Sequence, residues 1–276
     1  QSLLKHPVQE LSGGGILSRL SPGLACTGTS TPVPDLTMYL EGSLSPEVIA
    51  IVVDIEGTLS DLRFTADVLV PYAETHFAEW LTRYRDTPEV AAAVDVFRQA
   101  VDEPEADDGR VIELAEASLA QGEAIPSLAE LVRLVWLDGY RGGQLEGHVY
   151  PDAVVKLQGW AEDHRALYTF SASAAYDQRL LLGYSDHGDL TELFSGFFDP
   201  RTGKKSNAES YTRIAQTLGE VPAVLLFVSD RAGELNAAKR AGFQTCWIAR
   251  DEATQEKAYN QQEHPVVETF EGIELV

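Results

Sequence analysis

Two carboxylates, Asp54 and Glu56, follow directly after the apolar run 49–53, and Gly57 comes next. Five consecutive apolar residues are typical of a parallel strand covered on both faces, and ligands bind beyond the carboxyl ends of such strands. Strand alternation places residues i and i+2 on the same side, so both acids are expected to face one small space. Gly57 relaxes the backbone, so that a ligand can come close. From this stretch alone, an N-cap Asp and a solvated Glu explain the pattern equally well.

Three further polar residues stand where other predicted elements begin or end. Ser171 follows the apolar strand 165–170, and Asp230 follows the apolar run 223–228 with one serine between them. Lys205 precedes a predicted helix, although most lysines in loops are simply solvated surface residues. Each feature alone is weak, and their order along an alternating chain gives them weight.

The start of that helix carries its own signature. Ser206 and Glu209 have the S-x-x-E spacing of a capping box, which predicts a helix over 207–218. Lys205 would then lie beside the free N–H groups of a helix N-terminus, where both its charge and those groups suit an anion.

The ordered set favours phosphoryl transfer. A carboxylate nucleophile such as Asp54 approaches an anionic phosphate only if cations offset the repulsion. Mg²⁺ held by oxygen ligands, together with Lys205, would supply them. Glu56 and Asp230 suit such magnesium chemistry, and Ser171 with nearby N–H groups would hold the remaining phosphate oxygens. We therefore predict one Mg²⁺ per chain and a small phosphorylated substrate.

The elements that must position these residues predict an α/β protein with a Rossmann-like parallel sheet. The stretch 65–147 differs, because its signals are helical throughout and no strand intervenes. We expect an all-helical cap there, inserted after the first strand and excluding water from the strand's end. The core would then comprise 46–64 and 148–276. The helices predicted in the cap are 67–84, 87–102, 109–121 and 127–141.

The composition narrows the function classes. A chain of 276 residues with 44% apolar content can bury one sizeable core carrying an insertion. A net charge of −22 argues against nucleic acid, which needs a basic surface. No stretch reaches the roughly 18 apolar residues of a membrane helix. Cys26 and Cys246 give no disulfide framework or CxxC site, and the six histidines lack zinc-ligand spacing. A cytoplasmic protein with no membrane partner is expected.

Residues 1–45 are rich in turn-forming residues and lack sustained periodicity, so they are predicted to be a flexible tail. Met38, the only methionine, lies just ahead of the first strand and would suit a natural start, with the upstream residues an extension. A targeting leader is the alternative, which is disfavoured because arginines are few and a compact apolar region is missing.

These motifs resemble those of the haloacid dehalogenase-like hydrolases, and in detail those of the enolase-phosphatase, or acireductone synthase, family of methionine salvage. The D-I-E-G-T of 54–58 is similar to the family's D-x-E-G-T, in which Glu replaces the Asp common among phosphatase relatives. The resemblance runs from about residue 48 to residue 250. Other similar segments are 67–72, 136–140, 147–152, 178–183 and 188–196.

The resemblance implies the haloacid dehalogenase type of core with an inserted helical cap, and a role for each residue. Asp54 would attack phosphorus and bind Mg²⁺, Glu56 would bind the metal through its backbone oxygen and act as acid or base, and Asp230 would complete the metal site. Ser171 would bind phosphate, and Lys205 would neutralise charge. Family members convert 2,3-diketo-5-methylthiopentyl 1-phosphate, by enolisation and then dephosphorylation, to 1,2-dihydroxy-3-keto-5-methylthiopentene.

Some positions depart from the family pattern. Where the family usually reads Ser-Ser-Gly-Ser in its substrate-binding loop, this chain has Ser-Ala-Ser-Ala at 171–174. Ala172 thus lacks a hydroxyl placed near the substrate, and Ser173 replaces a glycine. Val132 and Arg133 stand in the cap where Gln and Gly are usual, and Arg231 follows the metal-site Asp where a small apolar residue is more usual.

Three functions remain open at this point: the bifunctional enolase-phosphatase, a Mg²⁺-dependent phosphatase of another small ester, and a non-catalytic module of the same fold. A dehalogenase fits less well, because Glu56 and Asp230 suit Mg²⁺ chemistry. A monomer is the default expectation. The base for enolisation is not identified by the sequence.

Overall fold

A computed structural model describes residues 47–123, 125–261 and 263–275. Within these ranges six strands form one sheet, and every neighbouring pair is parallel. The order across the sheet is β3-β2-β1-β4-β5-β6, which confirms the predicted parallel α/β sheet. The strands are β1 (Ala50–Val53), β2 (Ala166–Phe170), β3 (Gly196–Phe198), β4 (Leu225–Ser229), β5 (Gln244–Ile248) and β6 (Val266–Val267).

The central strand β1 is apolar on both faces. Ile51 and Val53 pack into one hydrophobic cluster, whereas Ala50 and Val52 pack into a second one. Successive side chains of a strand point to opposite faces, so the two clusters lie on the two sides of the sheet. All four residues are buried. This double coverage is why an uninterrupted apolar run forms the middle of the sheet.

β1 pairs with β2 on one side and with β4 on the other. Because these strands are parallel, their carboxyl ends lie at the same edge of the sheet. The segments that carry Asp54, Ser171 and Asp230 therefore leave the sheet side by side. This is the framework that the sequence pattern required for a strand-end site.

Between β1 and β2 the described residues form helices and contribute no strand to the sheet. A π-helical turn, Thr65–Leu69, leads into α1 (Val70–Tyr84), which is followed by α2 (Pro88–Ala100), α3 (Asp108–Gln121) and α4 (Pro126–Arg141). The bounds agree with the predicted helices to within three residues. This helical block has a hydrophobic cluster of its own. Its action as a cap, with boundaries at 64/65 and 147/148, stays a prediction.

The remaining helices flank the sheet: α5 (Pro151–Glu162), α6 (Ala175–Gly183), α7 (Ala208–Leu218), α8 (Ala232–Arg240) and α9 (Glu252–Gln261). Short 3₁₀ turns occupy Thr191–Leu193, Pro222–Val224 and Phe270–Gly272. α9 and β6 follow β5, and neither of them was predicted from the sequence.

The predicted capping box is wrong. α7 begins at Ala208, with Asn207 at the N-cap position and no side chain capping the helix. Ser206 lies outside the helix, in a turn where the Asn207 N–H donates to the Lys204 carbonyl at 3.0 Å. The S-x-x-E spacing is therefore out of register with the helix start by one residue.

The predicted tail, 1–45, together with Met38 and Cys26, lies outside the described residues. Cys246 is buried and free. In the part of the chain that the structure describes, none of the helices is both long and apolar enough to cross a bilayer.

Candidate active site

Asp54 is the first residue beyond β1, and its side chain is buried. Its Oδ1 accepts the Ile55 N–H at 2.7 Å, and its Oδ2 accepts the Ser229 hydroxyl at 3.2 Å. The extended strand ends at Val53 and Ile55 lies in a turn, so the alternation expected to bring Asp54 and Glu56 into one space does not continue through them. The two acids reach different surroundings.

Lys205, predicted to be a charge-neutralising residue, forms an ion pair with Asp54. Its Nζ lies 2.5 Å from Asp54 Oδ1 and 2.6 Å from Glu234 Oε2. Burial opposes the charge of Lys205, but the two carboxylates outweigh burial and raise its pKa. Lys205 is therefore held as a cation between two acids. The Tyr211 hydroxyl donates to the Lys205 carbonyl at 2.9 Å and holds the backbone there.

Ser229 and Glu234 belong to this cluster, and the sequence prediction did not include them as site residues. The Ser229 hydroxyl lies 3.2 Å from Asp54 Oδ2 and also 3.2 Å from Glu234 Oε2. Ser229 ends β4, and Glu234 lies in the first turn of α8, four residues after Asp230. An acid one helical turn beyond a strand-end Asp was the signal that could have identified Glu234.

Asp230 packs against the loop that follows β1. Its N–H donates to Thr58 Oγ1 at 3.0 Å. Gly57 has φ +80°, and a Cβ there would come within 2.5 Å of Asp230 Oδ2. The glycine is thus required for the close approach of this carboxylate. Burial, and then the negative charge of Asp54, raise the pKa of Asp230 to about 7.

A wide cleft of about 830 Å³ opens beside these residues. Its lining includes Ser171, Ala172, Lys205, Asp230 and Glu234. The cleft therefore brings together the predicted phosphate-binding serine, the loop residue Ala172, the lysine and one predicted metal ligand. Asp54 is connected to the cleft through its ion pair with Lys205.

The loop after β2 is fixed by the buried side-chain amide of Gln178. Gln178 accepts the Thr169 hydroxyl at 2.5 Å and donates to the carbonyls of Ser173 and Phe198, both at 2.9 Å. Within the loop, the Ser173 N–H donates to Ser171 Oγ at 3.1 Å. Gln178 is a further residue that the sequence reasoning did not assign to the site, because the sequence does not show that its amide is buried and bonded to the loop.

Glu56 lines a second, smaller cavity of about 120 Å³. The Thr65 hydroxyl donates to Glu56 Oε1 at 2.5 Å and fixes its orientation. The residues facing this cavity come from the loop after β1, from the helical block and from α6 with the loop before it. They are Ile55, Glu56, Thr65, Leu69, Trp136, Tyr140, Ser173, Asp177, Gln178, Leu180 and Leu181. Glu56 therefore faces the small cavity, and none of the residues named for this cavity lines the wide cleft.

Arg250 supports the loop after β1 from the far side. Its Nε donates to the Thr58 carbonyl at 3.0 Å, and its guanidinium makes two bonds to the Asp152 carboxylate at 3.2 and 3.1 Å. The guanidinium also lies 3.7 Å from the centroid of the Tyr150 ring. Such a bidentate, stacked arginine is well suited to fix the position of a backbone segment.

The comparisons with known proteins agree with this geometry. A model of the haloacid dehalogenase-like hydrolase family matches residues 49–242. A relative from Pseudomonas fluorescens strain Pf0-1, named Enolase-phosphatase E1, is 42% identical over 81% of this chain and 96% of its own length. The chain belongs to the Enolase-phosphatase E1 family of haloacid dehalogenase-like hydrolases. The family predicted from the motifs is confirmed.

Two more proteins are similar to this chain. Another relative of the same name, from Azotobacter vinelandii strain DJ, is 42% identical over 82% of this chain and 97% of its own length. The crystal structure of the Unknown transcript 4 protein, UTR4, from Saccharomyces cerevisiae is similar with a TM-score of 0.69 and 26% identity. That similarity covers 82% of this chain and 100% of the other.

Enzymes of this family typically use Mg²⁺, and the residues present fit such an ion. Asp230 Oδ1 is buried and has no hydrogen-bond partner among the described residues. The negative charge of Asp54 helps to raise the pKa of Asp230, and a hard cation between oxygen ligands would favour the charged form of Asp230. No cluster of three or more His, Cys, Asp or Glu side chains arranged for a metal occurs in the described ranges. A site here would need a backbone oxygen as well.

Proposed function

We propose that this chain converts 2,3-diketo-5-methylthiopentyl 1-phosphate to the acireductone 1,2-dihydroxy-3-keto-5-methylthiopentene and phosphate. The observation that carries the proposal is the 2.5 Å ion pair between Lys205 Nζ and Asp54 Oδ1, beside a cleft lined by Ser171 and Asp230. A carboxylate held by a buried cation next to a hydroxyl is what nucleophilic attack on a phosphate requires. Family membership supports the substrate.

In the phosphoryl step, the Asp54 carboxylate attacks phosphorus, the bond between phosphorus and the ester oxygen breaks, and that oxygen takes up a proton and leaves as a hydroxyl of the product. The phosphoryl group is then carried by Asp54 until water attacks phosphorus, which releases inorganic phosphate and restores the carboxylate. Ser171 would donate its hydroxyl to a phosphoryl oxygen, and Lys205 would offset the charge on these oxygens. Ala172 lines the cleft beside Ser171 and offers no hydroxyl of its own.

We assign the Mg²⁺ ligands to the side chains of Asp54 and Asp230 and to the backbone oxygen of Glu56, with one ion per chain. When bound, the ion would supply positive charge at the phosphoryl oxygens and orient the ester for in-line attack. Gly57 and Thr58 would keep Asp230 in place, through close packing and through the bond from the Asp230 N–H to Thr58 Oγ1.

We assign the acid or base role to Glu56. Its carboxylate is fixed by Thr65 and faces a cavity enclosed by the helical block and the loop after β2. A carboxyl group that is oriented and partly buried is suited to proton transfer during enolisation. The helical block would then act as the predicted cap, covering the carbon chain of the substrate.

The remaining assignments concern the oligomeric state, the location and the partners of the protein. We propose a monomer that acts on a small phosphorylated diketone in the cytoplasm, with neither nucleic acid nor membrane as a partner. The net charge of −22 supports the exclusion of nucleic acid, since binding to phosphate backbones needs basic surfaces.

Incubation with two substrates tests the function. The diketo phosphate and 4-nitrophenyl phosphate are each supplied with Mg²⁺, while phosphate release and acireductone absorbance are recorded. Acireductone and phosphate formed together from the diketo phosphate support the proposal. Phosphate released only from other esters would indicate a phosphatase of different specificity. No release from either would indicate a non-catalytic module.

A further inference from the structure

Tyr140, near the end of α4, has a hydroxyl that the fold leaves without a partner. The residue is 3% exposed, and its hydroxyl makes no hydrogen bond among the described residues. Tyr140 also lines the small cavity that contains Glu56 and Ser173. Burying a phenol without a partner destabilises the folded state, so buried hydroxyls of native proteins are nearly always bonded to protein, water or ligand.

The walls around Tyr140 are fixed by bonds of their own. The Trp136 indole N–H donates to the Leu69 carbonyl at 2.8 Å, and Thr65 holds Glu56 at 2.5 Å. Neither of these bonds involves the Tyr140 hydroxyl. The cavity holds about 120 Å³, roughly the volume of four water molecules, which is enough for a short segment of a carbon chain with its oxygen.

The charges around the cavity exclude an anionic group from it. Glu56 contributes a carboxylate, and Asp177, which also lines the cavity, is paired with Arg133 at 2.6 Å. Burial, and then the charge of Asp177, raise the pKa of Tyr140, so its hydroxyl keeps its proton and acts as a donor. An uncharged oxygen acceptor is the partner that this arrangement suits, whereas a phosphate suits the wide cleft at Lys205.

We propose that Tyr140 is a substrate-binding residue whose hydroxyl donates a hydrogen bond to a keto oxygen of the diketone segment, held in the small cavity beside Glu56. This assignment rests on the proposed function, because it takes the phosphate of the same molecule to lie in the wide cleft. The cavity would thus distinguish phosphate esters that carry a keto group from esters that do not.

The test compares Tyr140→Phe with Tyr184→Phe. Tyr184 stacks on Tyr140 with ring centroids 5.6 Å apart and is 37% exposed, so its variant removes the same hydroxyl from the neighbouring ring outside the cavity. Each protein is assayed with Mg²⁺ on the diketo phosphate and on 4-nitrophenyl phosphate, and its thermal unfolding is recorded. Tyr140→Phe should lower kcat/KM on the diketo phosphate by about two- to tenfold, the effect of one neutral hydrogen bond. It should leave 4-nitrophenyl phosphate hydrolysis and Tm unchanged, or raise Tm.

Each other outcome overturns the assignment. Equal losses on both substrates, or no loss, would show that Tyr140 does not bind the keto group. A lowered Tm would show that the hydroxyl has a partner within the fold. Loss of diketo phosphate activity in Tyr184→Phe as well would place the effect in the ring stack. Wild-type protein that forms no acireductone would instead overturn the proposed function, and with it the substrate named here.

Discussion

The wide cleft and the small cavity differ in whether their polar side chains have hydrogen-bond or ion-pair partners. In the wide cleft, Lys205 is bonded to two carboxylates, and Ser229 bridges the same pair of acids. In the small cavity, most of the lining is apolar, Glu56 is bonded to Thr65, and the Tyr140 hydroxyl has no partner among the described residues. One cavity concentrates mutually paired charges, and the other combines apolar walls with a few polar groups, among them the carboxylates of Glu56 and Asp177.

Under the proposed function, this difference would divide the work of one site between the two cavities. The charged cluster lies at the ends of β1 and β4, where the parallel sheet brings distant residues together. The small cavity lies where the helical block meets the loop after β2. A phosphoryl group requires the first environment, and an uncharged carbon chain requires the second. Substitutions in the wide cleft should therefore affect all phosphate esters alike, whereas substitutions in the small cavity should affect only keto esters.

The largest effect is expected at Asp54, the residue on which both substrates depend. Asp54→Asn keeps the shape and removes the attacking charge, so phosphate release should fall by at least about 10³-fold on the diketo phosphate and on 4-nitrophenyl phosphate alike. Phosphate release by the purified variant, with circular dichroism to confirm folding, checks this. Near-normal turnover of folded Asp54→Asn protein would refute its role as nucleophile.

Metal removal should be nearly as severe. EDTA should abolish phosphate release from both esters, and added Mg²⁺ should restore it, because the cation lowers the cost of bringing phosphate to Asp54. Asp230→Ala should reduce Mg²⁺ binding, measured by calorimetry, below detection. Asp163→Ala, an exposed acid at the end of α5, is the matched control and should bind Mg²⁺ normally. Full activity in excess chelator would show that the metal assignment is wrong.

Lys205 should come next. Lys205→Gln removes the cation but keeps a polar side chain, and phosphate release should fall by about 10²-fold on both esters. The variant should also be less stable, since it leaves Asp54 and Glu234 without their buried partner, a change that costs about 3–5 kcal/mol. Urea unfolding measures this loss. Lys156→Gln, on α5 and lining neither cavity, should change neither quantity, and an unaffected Lys205→Gln would contradict the ion-pair role.

The smallest effect is expected at Ala172. The residue lines the wide cleft beside Ser171, so Ala172→Ser adds a donor where a phosphate oxygen would lie. One neutral hydrogen bond is worth roughly 0.5–1.5 kcal/mol, so kcat/KM should change by up to about tenfold, in the same direction on both esters. A change confined to the diketo phosphate would instead place Ala172 at the carbon chain and break the division between the cavities.

The sequence predicted the sheet and the strand-end residues because strong local signals specify both. The apolar runs before Asp54 and Asp230 are long enough to identify buried parallel strands, and the helical block between β1 and β2 has clear punctuation. Glu234 carried a local signal of its own, because it lies one helical turn beyond the strand-end Asp230. Gln178 and Tyr140 could not be found in this way, because the contacts of a buried amide and burial without a partner are visible only once the fold is known.

Two local predictions, the capping box and the common orientation of Asp54 and Glu56, failed for physical reasons. The capping box at Ser206 failed because a turn at Lys204 shifts the start of α7 by one residue, and helix ends are poorly specified by short patterns. Asp54 and Glu56 were expected to share one space because alternation was extended past the end of β1. The turn at Ile55 separates their surroundings.

The proposed function requires one site that holds phosphate and Mg²⁺ at the ends of β1, β2 and β4. A crystal structure with Mg²⁺ and a phosphate mimic such as vanadate would show this site. We expect a metal ion bound by the side chains of Asp54 and Asp230 and the backbone oxygen of Glu56, with the oxyanion contacted by Ser171 and Lys205. A metal ion or oxyanion found elsewhere, with these side chains unliganded, would contradict this expectation.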